Sequence, residues 1–321
     1  MKKLNVALAI LVTAVMAGHA ATATSDVVGY QQVAAAKGYT TLGFPLVNSP
    51  VVSATVSSKS GSSIVLSLIC PSTVNPAKPY YLEVTSGPLE GERVDVSVTA
   101  GSANVTIVAS SGNTDTLSTL AVGASVVVRQ HVTLGQVDQS CSPALVGDDN
   151  NGDRVLFFIG GAFVAYVKAS DGLWYEDGGF DDMTDMPLRP GVGLLLHRRA
   201  NTATTVTQVG TVRSNKFARP YTAGYQVYAP AYPVDLTPTA MGATVANGWA
   251  ANSEVSRADQ IFIFAGGAFV KNYLEADQSW YEDGGFDSLN TTVLLPSAKS
   301  VVVFKQVASD GVLETSPVAV Q

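Results

Sequence analysis

Charged residues are scarce in this chain, and basic residues are the scarcer kind. Asp, Glu, Lys and Arg make up 14% of the 321 residues, whereas hydrophobic residues make up 46%. Disordered chains have the opposite composition, with high charge and low hydrophobicity, so a folded protein is expected. Acidic residues outnumber basic residues by 26 to 19. Nucleic acid and anionic membranes attract proteins through clustered Lys and Arg, and neither is therefore expected as a partner.

Residues suited to catalysis are also few. The chain has three histidines, and one of them, His19, lies in the apolar N-terminal segment. His131 and His197 each follow an apolar run, where a histidine is more often a packing or surface residue than a base. Neither a G-x-S-x-G nor an H-E-x-x-H motif occurs. We therefore expect a protein that is not an enzyme and predict no catalytic residues. A hydrolase using Glu176 and Asp181 as paired carboxylates is a remote alternative.

The N-terminal residues have the pattern of a secretory signal peptide. Lys2 and Lys3 precede an apolar run, and Ala21-Thr22-Ala23 fits a cleavage site. Cleavage after Ala20 is the alternative. The apolar run is short for a membrane span, so an uncleaved anchor is less favoured. We predict a signal peptide over residues 1–23 and an exported protein that is extracellular, at the cell surface or periplasmic, with no membrane insertion after cleavage.

Cysteine occurs only twice, as Cys70 and Cys141. A C-x-x-C redox motif and a zinc-binding cysteine cluster are both excluded by this count. In an oxidising compartment the two thiols either form one disulfide or remain buried and free. A disulfide would tether the inserted segment described below to the rest of the first unit.

An internal repeat organises the second half of the chain. Asp153 aligns with Asp259, and the match continues without a gap through GGAFV and WYEDGGFD, which are identical in both copies. LRPGVGLLLHRR, from Leu188, resembles LLPSAKSVVVFK, from Leu294, more weakly. Upstream, VGYQQVAAAKGYTTLGF, from Val28, has a fainter counterpart from Val209. A repeat of this kind indicates two related structural units.

Each unit has the pattern of a β-meander. Short apolar runs flank Gly160-Gly161 and Gly266-Gly267, and a Gly-Gly pair between two such runs predicts a two-residue hairpin. We predict an all-β protein with two related β-meander units that form sandwich- or barrel-like domains. The first unit covers residues 24–206 with a β-rich insertion at about residues 60–140, and the second covers residues 207–321.

The same motifs resemble a known group of proteins. VVGYQ after the signal, SGPLEGERVDV, GDRVLFF and PGVGLLLHRR occur in this order. This order is similar to that in a family of secreted bacterial β-repeat proteins for which no activity is established. The resemblance therefore implies secretion and a β fold, and it assigns no functional residues. The second unit departs from the ending pattern, because Pro296-Ser297 stands where the first has Pro190-Gly191.

The repeated WYEDGGF segment is the main candidate site. Consecutive residues of a strand point to opposite faces, so one aromatic of each Trp-Tyr pair is expected in the core and the other at the surface. The structural interpretation is a strand followed by an Asp-Gly-Gly turn. The functional interpretation is a sugar site with a stacking aromatic and hydroxyl-binding carboxylates. The candidate ligand-binding residues are Trp174, Tyr175, Glu176, Asp177, Trp280, Tyr281, Glu282 and Asp283.

A second candidate is a calcium site in GDDNNGDR. Asp149, Asn151 and Asp153 have the alternate spacing of an Asp-rich calcium loop. Arg154 stands where such a loop has glycine, and Gly160 stands where it has a bidentate acid. A polar loop before a strand is the alternative. We expect no cofactor apart from this possible calcium ion.

These features favour a structural or cell-surface interaction role, with the protein itself or other surface proteins as partners. The alternative is a carbohydrate-binding, lectin-like module that uses the WYEDGGF loops and has glycans as partners.

Overall fold

The structure is a computed structural model that describes residues 27–109 and 116–316. The predicted signal peptide, residues 1–23, lies outside the described residues. The fold is all-β, with 44% of the described residues in strands and 4% in helices, which confirms the predicted fold class. Among the described residues, none of the helices has the length and apolar character needed to cross a membrane.

The strands of the chain fall into three groups. The first part contains β1 (Val28–Ala35), β2 (Gly38–Leu42), β9 (Val132–Thr133), β10 (Cys141–Ser142), β11 (Arg154–Ile159), β12 (Ala162–Lys168), β13 (Trp174–Glu176), β14 (Pro187–Leu188), β15 (Leu194–Arg198) and β16 (Thr204–Thr211), with the helix α1 (Leu134–Gln139). Between β2 and β9 lie β3 (Pro50–Ser60), β4 (Ser63–Leu66), β5 (Tyr80–Val84), β6 (Arg93–Val98), β7 (Asn104–Ile107) and β8 (Ser125–Gln130). The last part contains β17 (Phe217–Tyr221), β18 (Gly224–Tyr228), β19 (Gln260–Ala265), β20 (Ala268–Leu274), β21 (Trp280–Glu282), β22 (Val301–Lys305) and β23 (Ser309–Glu314), with short 3-10 helices at Val245–Asn247 and Val255–Arg257.

Two antiparallel five-stranded sheets have the same strand arrangement. The first has the order β2-β15-β11-β12-β13, and the second has the order β18-β22-β19-β20-β21. A ribbon accompanies each sheet, formed by β1 with β16 and by β17 with β23. Strand β16 pairs along its whole length with β1 and ends at Thr211, so it runs across the sequence-based division at residues 206/207.

Glycine pairs form the hairpin turns in both sheets. Gly160 and Gly161 have φ values of 61° and 91°, and Gly266 and Gly267 have φ values of 59° and 85°. Positive φ at both central residues is what a type I′ hairpin requires. The hairpins β11–β12 and β19–β20 therefore have the turn geometry expected from the sequence.

The segment between β2 and β9 forms a closed six-stranded barrel. Its strand order is β3-β4-β7-β6-β5-β8. Apolar side chains at alternate positions, such as Leu82 and Val84 on β5 and Val126 and Val128 on β8, fill the interior. The intervening side chains, including Glu83 and Arg129, lie on the outer wall. The barrel strands extend from Pro50 to Gln130 and overlap the insertion predicted at about residues 60–140.

The disulfide considered from the sequence is not formed. Cys70 is buried in the barrel interior, whereas Cys141 is buried in the core of the first unit, and both thiols are free. The Cys141 Sγ instead donates to the carbonyl of Val137 at 3.3 Å. Burial raises the pKa of Cys141 to about 11. The two residues belong to different hydrophobic cores, which is why the pairing fails.

The two units meet through reciprocal backbone contacts. The Ala229 N–H donates to the Gly191 carbonyl at 3.0 Å, and the Gly43 N–H donates to the Ala298 carbonyl at 2.9 Å. Gly43 and Ala229 each follow the edge strand of their sheet, β2 and β18. Gly191 and Ala298 each occupy the third position of a turn, with φ values of 81° and 60°. The donor lies after the edge strand of one unit and the acceptor lies in the turn of the other, and the second hydrogen bond has the same arrangement with the units exchanged. This reciprocity is typical of a two-fold symmetric contact, which here lies within one chain.

The sheet faces opposite to the two cores also contribute to this contact. Their side chains Thr41, Leu195, Val227 and Val302 are buried although they point away from the cores of their own units. The ring of Tyr39 on the first sheet lies 6.3 Å, edge to face, from the ring of Phe264 on the second. We infer that the outer faces of the two sheets pack against each other near the local two-fold axis.

Candidate functional site

The Trp residues of the WYEDGGF segments lie in the two cores. Trp174 and Trp280 are 0% and 1% exposed, on the edge strands β13 and β21. Trp280 donates its indole N–H to the Ala243 carbonyl at 2.8 Å. A side chain with this burial cannot stack on a sugar, so the sequence-based assignment of Trp174 and Trp280 to a ligand site is wrong. Because side chains alternate between the two faces of a strand, the Trp ring lies in the core and the neighbouring Tyr ring lies on the opposite face.

The Tyr residues lie on the other face of these strands and are partly exposed. The Tyr175 hydroxyl donates to Asp171 Oδ2 at 2.8 Å, and the Tyr281 hydroxyl donates to Asp277 Oδ2 at the same distance. These hydrogen bonds to a carboxylate raise the pKa of both phenols. Each tyrosine is thus anchored at its hydroxyl while part of its ring remains accessible.

The Asp-Gly-Gly residues build the same turn twice. The Gly179 N–H donates to the Glu176 carbonyl at 2.7 Å, and the Gly285 N–H donates to the Glu282 carbonyl at 2.8 Å. The Asp side chains form partly exposed ion pairs, Asp177 with Arg154 at 2.9 Å and Asp283 with Lys271 at 3.2 Å. Glu176 and Glu282 point into solvent at the start of the turn. The candidate carboxylates therefore surround each loop without converging on one point.

The final Phe of each segment is the residue that sequence reasoning missed. Phe180 and Phe286 are both 94% exposed. Large aromatic side chains are usually buried, and an isolated ring left almost wholly in water gains nothing from burial in its own fold. The available signal was the identity of the Phe in both copies at a position where neither core nor turn requires it. Exposed carboxylates follow each ring, Asp181 and Asp182 after Phe180 and Asp287 after Phe286.

The GDDNNGDR residues proposed for calcium bind other groups of the protein. Asp149 Oδ1 accepts hydrogen bonds from the Ser170 backbone and hydroxyl, both at 2.9 Å. Asn151 Oδ1 accepts from Arg199 at 3.1 Å. Asp153 is fully buried in an ion pair with Arg198. The three side chains do not share a centre, and among the described residues no group of three or more His, Cys, Asp or Glu side chains could hold a metal ion.

Asp153 belongs instead to a structural ion pair that occurs in both units. It pairs with Arg198 on β15, and Asp259 pairs with Lys305 on β22, with all four side chains buried. The second carboxylate oxygen accepts a backbone N–H at 2.7 Å in each case, from Arg199 and from Gln306. The gapless alignment concealed this equivalence, because the second unit has one more residue before β22. The pairing of β15 with β11 and of β22 with β19 shows that Arg198 and Lys305 occupy equivalent positions in the two sheets.

Both histidines in the part of the chain that the structure describes have structural partners. The His131 ring is 1% exposed, with Nε2 lying 3.0 Å from Asp95 Oδ1. The His197 ring stacks on Tyr39 with ring centroids 4.1 Å apart, and burial lowers its pKa.

Comparison of the chain with protein-family models, with curated proteins and with solved structures finds no match.

Proposed function

We propose that this protein is a non-enzymatic, exported β protein with a structural or cell-surface interaction role, and that its two WYEDGGF loops are the contact points. The observation that carries the proposal is the 94% exposure of both Phe180 and Phe286. In both copies the Trp, Tyr, Asp and Gly residues have structural roles, whereas the Phe side chain has none. A contact with another molecule accounts for a ring that is retained twice and buried in neither unit.

The surroundings of each ring indicate the kind of partner. Phe rings are enriched in the buried centres of protein interfaces, where they fill apolar pockets. The carboxylates beside Phe180 and Phe286 would repel an anionic lipid surface and favour a basic rim around such a pocket. A protein partner, either another copy of this chain or a different surface protein, therefore fits these loops best.

The test is a double substitution, Phe180→Ser with Phe286→Ser. Two properties are measured for wild type and variant: binding of the labelled protein to intact cells of the producing organism, and self-association in sedimentation velocity. We expect at least about a tenfold loss in one of the two, since a buried aromatic anchor contributes 2 kcal/mol or more at an interface. Val122→Ser is the matched control, because Val122 is 71% exposed on the barrel. Unchanged behaviour of the double variant in both measurements would contradict the proposal.

A carbohydrate-binding role is the second candidate, and the partly exposed tyrosines favour it. Tyr175 and Tyr281 are held in place by Asp171 and Asp277, as a stacking platform would be. Glycan-array binding that disappears in a Tyr175→Ala, Tyr281→Ala variant and persists in the Phe variant would favour this role. No glycan binding by the wild type would remove it.

A further inference from the structure

The outer wall of the barrel is charged where it faces the rest of the molecule. Glu83 on β5, Arg93 and Asp95 on β6 and Arg129 on β8 alternate with the apolar residues of the interior. Arg213, which follows β16, donates to Glu83 Oε1 at 2.6 Å, and Arg93 donates to the Ala218 carbonyl of β17 at 2.8 Å. These charged side chains join the barrel to the segment after β16 and to β17, and the ion pair of Asp95 with Arg189 at 2.7 Å joins it to the first unit.

Positive charge is in excess at this junction. Its carboxylates are Glu83, Glu90, Asp95 and Glu314, and its cations are Arg93, Arg129, Arg189, Arg213, Lys216 and Arg219. The chain as a whole carries a net charge of −7. Burial and the neighbouring Arg213 guanidinium lower the pKa of Arg93 to about 10, which reflects the same crowding of cations. Because the described residues of the junction include six cations and four carboxylates, an anion bound beside them would be stabilised electrostatically.

An open groove of about 390 Å³ lies on this junction. Val127 and Arg129 form buried parts of its lining, and Arg129 is 6% exposed. Arg129 Nη1 donates to the Asn48 carbonyl at 2.7 Å, and its Nε lies 3.9 Å from Glu83 Oε2. The other lining residues are Pro50 and five polar residues: Ser53, Thr85, Glu90, Ser214 and Asn215.

The one carboxylate in the lining is neutralised by its neighbour. Glu90 Oε1 accepts the Lys216 backbone N–H at 3.1 Å, and Glu90 Oε2 lies 3.3 Å from the Lys216 ammonium. Asn215 donates to Glu83 Oε1 at 3.2 Å, which leaves its amide oxygen as an acceptor. The groove therefore offers a buried cation together with hydroxyl and amide groups, and its volume is in the range of small-molecule sites.

We propose that this groove binds a small hydroxylated carboxylate, such as a sugar acid. The carboxylate lies against the Arg129 guanidinium, where charge-assisted hydrogen bonds are strongest. The ligand hydroxyls are bound by Ser53, Thr85, Ser214 and Asn215. The lining combines barrel residues with Ser214 and Asn215 of the segment between β16 and β17, and the duplicated sheets do not repeat this combination within the described residues. The proposal is independent of the role of the WYEDGGF loops.

Calorimetric titration of the full chain at low salt tests this site, with glucuronate, glucose and inorganic phosphate as probes. We expect glucuronate to bind in a one-to-one ratio and at least about tenfold more tightly than glucose, because only the acid forms a charge-assisted contact. Added salt should weaken glucuronate binding. A uronate trimer identifies the source: tighter binding than the monomer indicates an acidic polysaccharide, and equal binding indicates the free acid.

Two variants locate the site. Arg129→Gln removes the charge and keeps a hydrogen-bond donor, and we expect glucuronate affinity to fall at least about tenfold. Ser214→Trp fills the groove from an exposed position between β16 and β17, and we expect it to abolish binding without changing the melting temperature. Arg257→Gln is the matched control, because Arg257 is 72% exposed on the second unit and its replacement changes the net charge equally.

Several outcomes would overturn the proposal. They are the absence of glucuronate binding to the wild type, equal affinity for glucose, tighter binding of phosphate than of glucuronate, or unaltered binding in Ser214→Trp. If Arg129→Gln does not fold, Ser214→Trp and the salt dependence decide.

Discussion

At the scale of single residues, two buried carboxylates anchor the units. Asp153 accepts the Val146 backbone N–H at 2.7 Å, and Asp259 accepts the Ala250 backbone N–H at 2.8 Å. Each also binds a cation on a neighbouring strand, Arg198 or Lys305. One carboxylate therefore fixes a loop, a strand end and a buried cation together.

Asp153→Asn should destabilise the protein strongly. The substitution leaves the Arg198 guanidinium buried without its counter-charge, and breaking a buried pair in this way costs about 3–5 kcal/mol. Urea denaturation of wild type and variant measures the loss in the free energy of unfolding. Asp181→Asn, at an exposed position, should change it by less than about 0.5 kcal/mol. Equal effects of the two substitutions would show that the buried pair contributes little.

The exposed phenylalanines should behave in the opposite way. Phe180→Ser and Phe286→Ser remove rings that are 94% exposed, so little apolar surface returns to water on unfolding. We expect the free energy of unfolding to stay within about 0.5 kcal/mol of the wild type. Urea denaturation measures this free energy. A loss well beyond about 0.5 kcal/mol would indicate that the rings pack against the protein, and it would weaken the argument for a binding role.

At the scale of elements, the two sheets repeat the same hairpin. The edge strands β13 and β21 are three residues long, and short edge strands limit pairing with other chains. The hairpin strands β11–β12 and β19–β20 are longer and are joined by two glycines. The turn, rather than the strand sequence, fixes their register.

Gly160 offers a direct test of the turn geometry. No atom lies within 4 Å of a Cβ added there, so only the backbone conformation limits substitution. Gly160→Asn should change the free energy of unfolding by less than about 0.5 kcal/mol, because Asn-Gly suits a type I′ turn. Gly160→Val should cost about 1–2 kcal/mol, the penalty of a left-handed conformation.

Gly266→Asn and Gly266→Val on the second hairpin should give the same ranking in urea denaturation. If Asn and Val have equal effects, the positive φ does not determine the stability of the hairpin.

At the scale of the whole molecule, the barrel and the two units are joined by buried charges. Burial by itself would raise the pKa of Glu83, but the Arg213, Arg93 and Arg129 guanidiniums hold it below its ordinary value of 4.5. Burial acts on Asp95 in the same direction, and hydrogen bonds from His131 and Arg189 hold the pKa of that carboxyl below 3.8.

Acid should therefore lower the free energy of unfolding. A carboxyl whose pKa is lowered on folding stabilises the protein fully above its unfolded value, and this stabilisation is lost as the pH falls through the folded value. We expect the free energy of unfolding to decline as the pH falls below 4.5, the ordinary value for Glu83. Urea denaturation between neutral and acid pH measures the decline.

Glu83→Gln isolates the contribution of one carboxylate. The variant should be less stable at neutral pH by about 3–5 kcal/mol, because buried guanidiniums lose their partner. Its stability should also depend less on pH in the acid range. The exposed Glu176→Gln serves as the control, and an identical pH dependence in wild type and Glu83→Gln would exclude the junction as the acid-sensitive part.

Local patterns were enough to predict the all-β class and the hairpins at Gly160-Gly161 and Gly266-Gly267, because turn preference and strand alternation act over a few residues. The same alternation predicted that one aromatic of each Trp-Tyr pair is buried. The tertiary structure decided what depends on distant parts of the chain: the closure of the barrel, the separate cores of Cys70 and Cys141, and the exposure of Phe180 and Phe286. These features depend on which strands pair across long separations, and no local preference specifies that pairing.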